Sequence, residues 1–326
     1  MEKVTFECEV VTPMFLAGAD GKTPELRPPS IKGAMRFWWR AMNGHLSIED
    51  LKKDEAEIFG GSGENMGRSK VGIKVDTFNL KKSKKKFPSH PIQVKSFNIN
   101  ILDYLAYGTY QYKKGQGNVF IREYIEPRQK FTVNISIVNN ELEEDIIGVF
   151  QLLSTFGGLG SRSRNGFGSF VILSINGSSK SFYVNIKKDR FSSTLPKFSA
   201  FSKNMRLWKT KQSHDSWDKA LAELGKAYRY AREKIESKHH YEKRQYIGAP
   251  IIVNKKQKSK LDRHAKPYFM SIHRENNEYV GYILYLPSEY AHGMEGLNNF
   301  KETKRFEDAC NCLNEHLTEK LEEVSL

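Results

Sequence analysis

Between Gln129 and Val138 the apolar residues Phe131, Val133, Ile135 and Ile137 occupy alternate positions, the period of a half-buried strand. The period then changes. From Glu143 to Thr155, Ile146, Ile147, Val149, Phe150 and Leu153 recur at helical spacing,. A glycine-rich stretch follows, and Gly168 to Ile175 makes another strand. The same alternation opens the chain: Phe6, Cys8 and Val10 against Glu7 and Glu9 predict a strand over Val4 to Val11,. Pro28-Pro29-Ser30 then starts a helix, with Ser30 expected as N-cap,. A second short helix spans Leu51 to Phe59 and ends at Gly60-Gly61. Gly72 to Leu80 reads as a strand, and Phe97 to Tyr107 is apolar without a clear period. The order is β-α-β-β-α-β with insertions, as in ferredoxin-like folds.

The second half follows a similar plan. Ser181 to Ile186 reads as a strand and Ser216 to Glu236 as a long amphipathic helix. Pro267 to His273 and Tyr279 to Leu286 form a hairpin about Glu275-Asn276-Asn277, and Asn299 to Glu323 closes the chain as a helix. That gives β-α-β-β-α without an evident last strand. The expected fold is α+β: two ferredoxin-like (RRM-like) domains packed together, the first with insertions. Their expected extents are 1–178 and 179–326, divided at Asn176-Gly177-Ser178-Ser179.

The chain has 326 residues and a formal charge of +14. Three cysteines make no disulfide framework, and no second pair completes a zinc site with Cys310 and Cys312,. Two apart on a helix, that pair points roughly 200° apart and cannot share a metal. No run approaches the ~20 apolar residues of a membrane span, and the N-terminus lacks a signal-peptide pattern. A soluble, cytoplasmic protein with a polyanionic partner is expected. Charge is also segregated: Gly158 to Arg274 holds 26 Lys/Arg against 8 Asp/Glu, leaving 26 against 30 elsewhere. Concentrated positive charge draws phosphate chains by counterion release. The Lys81–Lys86 run is expected to be a solvated loop.

The helix behind the two prolines carries the most chemistry. At about 100° per residue, Ala34, Met35, Trp38, Ala41 and Met42 share the face of Ile31. Lys32, Arg36 and Arg40 fall on the other side, at i, i+4 and i+8, with Arg27 at the head of the segment. Trp39 stands beside that stripe, where an aromatic plane could stack on a base. Free amides at the helix N-terminus could take a phosphate. Gly33, costing about 1 kcal/mol against Ala in a helix interior, suggests close approach of another backbone.

The second candidate element is Gly157-Gly-Leu-Gly-Ser-Arg-Ser-Arg-Asn-Gly-Phe-Gly168, between a helix and a strand. Phosphate-cradling loops run from strand to helix and need G-K-[ST] or G-x-G-x-x-G, so a nucleotidase or Rossmann reading fails. The echo of an RNP1 motif has the wrong spacing. Gly158 and Gly160 would let the chain lie close to a ligand, while Arg162 and Arg164 contact phosphates.

These two segments together resemble the RAMP superfamily of CRISPR proteins. The run Glu25–Ala41 (E-L-R-P-P-S-I-K-G-A-M-R-F-W-W-R-A) resembles the first-numbered subunit of the type III-B (Cmr) effector complex. Further matches are Glu57-Ile-Phe-Gly-Gly61, Tyr104-Leu-Ala-Tyr-Gly108, Phe156–Gly168 and, in the second half, Arg263-His-Ala-Lys-Pro267. The resemblance implies an RNA-binding, non-nucleolytic subunit near one end of a crRNA-guided antiviral complex. Its partners would be crRNA or target RNA and other RAMP subunits. Cleavage belongs in that family to a different, backbone subunit.

Some RAMP relatives cut CRISPR repeats by general acid–base chemistry, so the histidines need weighing. His45 falls on the apolar face of the first helix, and His239-His240 follows a helix. His264, beside Arg263 and Lys266, is the best nuclease candidate. No D-x-D pair points to metal-ion chemistry. The expectation is a non-enzyme with no cofactor and no metal. The alternatives are a repeat-processing endoribonuclease and a general single-stranded RNA-binding protein.

Overall fold

The computed structural model describes residues 2–21, 23–61, 67–94, 97–179, 187–237 and 240–325. The alternating segments form strands as their period requires. In the first half β1 (Glu2–Val10) leads to helices α1 (Pro28–Met42) and α2 (Ile48–Phe59), then to β2 (Val71–Thr77). Short hairpins and helix α3 (Ile101–Leu105) come next, followed by β3 (Lys130–Ile137), α4 (Glu143–Phe156) and β4 (Phe170–Ile175). These strands lie in the order β4-β1-β3-β2, every neighbour antiparallel, with Ser178–Ser179 pairing outside β4. The Lys81–Lys86 run is partly ordered: Lys82–Ser83 pairs with Tyr124–Ile125, and Lys86 Nζ donates to the Gln116 carbonyl.

The second half contains β5 (Arg206–Lys209), α5 (Trp217–Lys234), β6 (Tyr268–Glu275), β7 (Glu278–Tyr285), α6 (Asn299–Lys320) and β8 (Glu322–Val324). Its strand order is β6-β7-β5-β8, again all antiparallel. Read from the other edge, β8-β5-β7-β6 repeats the connections of the first sheet four strands later. The strand expected over Ser181 to Ile186 lies outside the described residues; among the described ones the first strand of this sheet is Arg206–Lys209, which the sequence reading did not expect. The closing helix stops at Lys320, so Glu322–Val324 supplies the last strand. Strands this short have no readable period. Arg206 donates to both carboxylate oxygens of Glu323 across β5 and β8, a contact that only the fold creates,.

The β6–β7 turn is Asn276-Asn277 with φ of 47° and 66°. Positive φ at both central residues defines a hairpin turn whose twist suits the flanking strands, and asparagine tolerates it.

Two clusters of buried side chains hold the chain together, and each draws on both halves. In one, Phe6, Val133 and Ile135 of the first sheet meet Ile31, Met35 and Trp38 of α1 and Phe150 of α4, joined by Phe201, Phe269 and Leu284. In the other, α5, α6 and β6 enclose Phe15, Phe87, Phe120 and Phe167 from the first half. Each such side chain contributes roughly 1.5–3 kcal/mol on burial. Gly225 of α5 lets Ile101 and Leu105 of α3 press against it.

A polar tie reinforces this. In the first turn of α4, Asp145 accepts from Lys187 Nζ at 2.7 Å and from Arg190 Nη1 at 2.8 Å. Burial alone would push this carboxyl up, but the hydrogen bonds from Arg190 and Lys187 hold it below the ordinary value. A depressed folded-state pKa gives stability that is present above the unfolded value, about 3.9, and lost as pH falls through the folded one. Asp145→Asn is therefore expected to destabilise the protein by about 1 kcal/mol at neutral pH. Urea unfolding should show the gap between variant and wild type narrowing as pH falls below the unfolded value.

Candidate nucleic-acid interface

The helix bearing the cation stripe begins three residues earlier than an N-cap at Ser30 would place it. Arg27, not Ser30, is the N-cap, and Pro28 and Pro29 fill the first two helical positions. Proline suits those positions because its φ is already helical and its missing N–H would be unsatisfied anyway. The amides of Ser30 and Ile31 both turn back to the Arg27 carbonyl. The free amides expected for a phosphate are thus absent.

The apolar face packs inward as expected, but α2 widens the buried arc. Trp39 is 3% exposed and sits edge-on to Phe59 at 6.4 Å. It is a core residue here, with no face open to a base. Arg36 and Arg40 both reach Glu55 Oε1, itself buried on α2. One carboxylate therefore offsets two guanidiniums. Lys32 donates to Ser69 Oγ at 2.6 Å, and burial, followed by the neighbouring Arg36, lowers its pKa. Arg27 is half-buried, with no ion-pair partner among the described residues. Gly33 is exposed, and a Cβ there would meet nothing within 4 Å. Among the described residues no protein backbone approaches it, so none of them supplies the packing reason expected for this glycine. His45 lies beyond the end of α1, exposed, with Nδ1 3.0 Å from the Arg190 carbonyl.

The glycine-rich loop is pressed against the protein's own backbone. Gly160 and Gly168 have φ of 92° and 72°. Their Cα atoms lie so close to the carbonyls of Phe15 and Leu159 that a Cβ would overlap them. Gly158 is buried against the Phe167 and Gly168 carbonyls and cannot itself meet a ligand; Gly160 is exposed on its other side. Arg164 points inward. Its guanidinium lies 4.4 Å from the Phe269 ring centroid and 5.5 Å from that of Phe37, and Nη1 donates to the Lys266 carbonyl. Burial brings its pKa down to about 10, so it remains charged at neutral pH.

Arg162 points the other way, exposed and without a side-chain partner among the described residues, against Gly108. Beside it Tyr107 is 72% exposed. Tyr107 adjoins Gly108 in the chain, so an exposed aromatic neighbours this cation, whereas Trp39 is buried. The tyrosine's signal lay in Tyr104–Gly108, an apolar stretch too short to show which ring faces solvent. The expected cations thus separate into three neighbourhoods. Lys32, Arg36 and Arg40 face α2, Arg164 faces β6, and Arg162 faces the insertion.

His264 is enclosed between Tyr290 and Phe306, with ring centroids 4.5 and 5.5 Å away. Burial, and then Arg164, lower its pKa to about 4. It is neutral at pH 7 and a weak base, and its buried Nδ1 has no partner. His240 is exposed, and His239 lies outside the described residues. Among the described residues no three His, Cys, Asp or Glu side chains gather as metal ligands, and no helix is long and apolar enough to cross a membrane.

Two antiparallel sheets with equivalent connections, joined by a glycine-rich loop that follows the last helix of the first, define the class. The family model of the RAMP superfamily matches residues 7–171, half the chain, and the chain belongs to that superfamily. Two proteins of Pyrococcus furiosus are similar to it in sequence. The CRISPR system Cmr subunit Cmr1-2 is 27% identical over 182 residues, covering 53% of this chain and 96% of that protein. Cmr1-1 is 32% identical over 174 residues, covering 52% of this chain and 47% of that protein. In three dimensions the chain resembles the crystal structure of apo Cmr1 from Pyrococcus furiosus, with a TM-score of 0.59, 20% identity, and coverage of 99% and 98% of the two chains. It also resembles a chain in the cryo-EM structure of the Type III-B Cmr-beta bound to cognate target RNA, with a TM-score of 0.51, 13% identity, and coverage of 95% and 99%. At these identities the likeness is one of fold.

Two glycines should respond in opposite directions. Gly33→Ala is expected to raise stability by up to about 1 kcal/mol, since its helix position is open. Gly168→Ala combines a strained φ with an overlapped carbonyl and should cost at least ~2 kcal/mol. Denaturant unfolding of the two variants reads both signs.

Proposed function

We propose that this chain is a non-cleaving, RNA-holding subunit of a type III-B CRISPR effector complex. In this reading it contacts guide or target RNA near one end of the assembly, beside other RAMP subunits. The observation that carries the reading is the match to Cmr1-2 across 96% of that protein's length. The concentration of positive charge between Gly158 and Arg274 supports it. So does the open helix face at Gly33, where a ligand backbone could pass and explain a residue that costs helix stability,. Each half, with its β-α-β-β-α-β connections, is read as a ferredoxin-like unit, 1–178 and 179–326. The contact residues in this reading are Arg162 and Tyr107 first, then Arg27, Lys32, Arg36 and Arg40.

Binding to single-stranded RNA should weaken with salt at roughly −0.7 in log–log slope per phosphate neutralised. Arg162→Ala is expected to reduce the slope by up to about one unit without changing sequence preference. Arg36→Ala should reduce it less, because Glu55 already holds that guanidinium. A salt-independent affinity, or an Arg162→Ala protein equal to wild type, counts against the site.

The rival repeat-processing nuclease would need His264 as base or acid. Its enclosure and low pKa disfavour that role,. The purified chain is expected to leave a labelled single-stranded RNA intact, with or without Mg²⁺, at concentrations where it binds. Cleavage abolished by His264→Ala, with binding retained, would reverse this conclusion.

A further inference from the structure

On its outer side helix α6 lines a groove of about 690 Å³. Asn299, Phe300, Lys304, Glu307 and Asp308 recur along it at helical spacing, while Leu195 and Glu289 come from two loops opposite. Those loops are tied together, Glu289 N–H donating to the Pro196 carbonyl at 2.8 Å. Phe300 is 84% exposed, although the helix buries Phe306, Leu313 and Leu317 on its other side. Asn299 Oδ1 is buried without a hydrogen-bond partner. An acceptor left so costs about 1–3 kcal/mol, which a donor from a bound group would recover. The charges also want a partner. Glu289 stands 2.6 Å from His292 Nδ1, but Glu307 and Asp308 form no ion pair among the described residues, with Lys304 or any other cation. Burial, and then Asp308, push the Glu307 carboxyl above its ordinary value. Three carboxylates against one lysine thus line this groove, on a chain whose formal charge is +14.

We propose that this groove docks an extended basic segment of another protein chain, with an Arg or Lys at Glu307 and Asp308 and an apolar side chain against Phe300 and Leu195. A backbone N–H of the same segment would satisfy Asn299 Oδ1. A phosphate chain is the wrong occupant, because the local charge repels it. Opposite charge steers a protein partner to such a patch and fixes its register, while an aromatic anchor supplies the affinity. From Asn299 to Asn311 the helix rises roughly 18 Å, the reach of about five extended residues, so a short segment fills the groove. The inference goes beyond RNA holding. It rests on that reading only for the origin of the segment, a neighbouring subunit of the assembly.

Fluorescence anisotropy of the intact chain with a labelled hexapeptide of alternating arginine and leucine tests the chemistry. Two control peptides carry serine in place of the arginines or of the leucines. The first peptide should bind, and each control should be weaker by about tenfold or more. Phe300→Ala and Glu307→Gln should each weaken the first peptide by a similar factor, whereas Lys304→Gln should not weaken it. Thermal unfolding checks each variant; Phe300, exposed to solvent, keeps the test open if Glu307→Gln fails to fold. No binding, or an affinity unchanged by both Phe300→Ala and Glu307→Gln, overturns the groove. In the assembled complex a photoreactive phenylalanine analogue at position 300 identifies the occupant. A cross-link to a Lys/Arg-rich segment of a different protein chain is expected. A cross-link to RNA or to a second copy of this chain, or none at all, overturns the proposal. The two readings fail separately. Peptide docking that survives without any RNA binding removes RNA holding and leaves the groove. RNA binding with a peptide affinity blind to the variants removes the groove and leaves RNA holding.

Discussion

The backbone of the glycine-rich loop can lie where it does only because no side chain occupies positions 160 and 168. Ser161 N–H donates to the Phe15 carbonyl, Gly168 N–H to that of Pro13, and Leu159 N–H to that of Gly168. On its outer side Met270 N–H donates to the Arg164 carbonyl, and Ile272 N–H to Ser169 Oγ. The loop therefore covers the free edge of β6 while staying bonded to the segment that leaves β1. An uncovered sheet edge is a template for unwanted pairing, and here that edge becomes the joint between the two halves. The Asn165 side chain extends the joint by donating to the Leu105 carbonyl of α3.

This joint decides which cations face outward. Because the loop turns over at Arg162, whose φ is 65°, alternate arginines part company. Arg162 reaches the surface beside Tyr107, while Arg164 lies over Phe269. The second arginine gains aromatic and carbonyl contacts in exchange for water, and its charge adds to burial in lowering the pKa of Lys266. On α1 a different accounting holds: Glu55 binds two arginines at once, so a stripe of three formal charges presents much less than three to solvent. Net positive charge in a sequence is thus a poor measure of charge available to a phosphate chain. Pairing and burial set the available part.

Much of the architecture was legible because it rests on local periods. Phe131 to Ile137 alternate and are buried in alternation, and the β6–β7 turn sits where Asn276-Asn277 allows positive φ. The missed strands, Arg206–Lys209 and Glu322–Val324, are held by partners distant in sequence and carry no period of their own. The helix wheel placed Ile31, Met35 and Trp38 correctly. It left Trp39 at the boundary because it treats a helix as having one buried face, and α2 supplies a second.

The sequence by itself determined the element types, the connection order of the first sheet, the excess of positive charge and the family resemblance, since each is written in nearest-neighbour spacing or composition. Only the tertiary structure decided that the glycines serve the protein's own backbone, that Trp39 and Arg164 point inward and Arg162 outward, and that no acid among the described residues pairs with Arg232 or Lys266. Those outcomes depend on which distant group fills the space beside a residue. Steric exclusion and desolvation act on such neighbours only once the chain has packed.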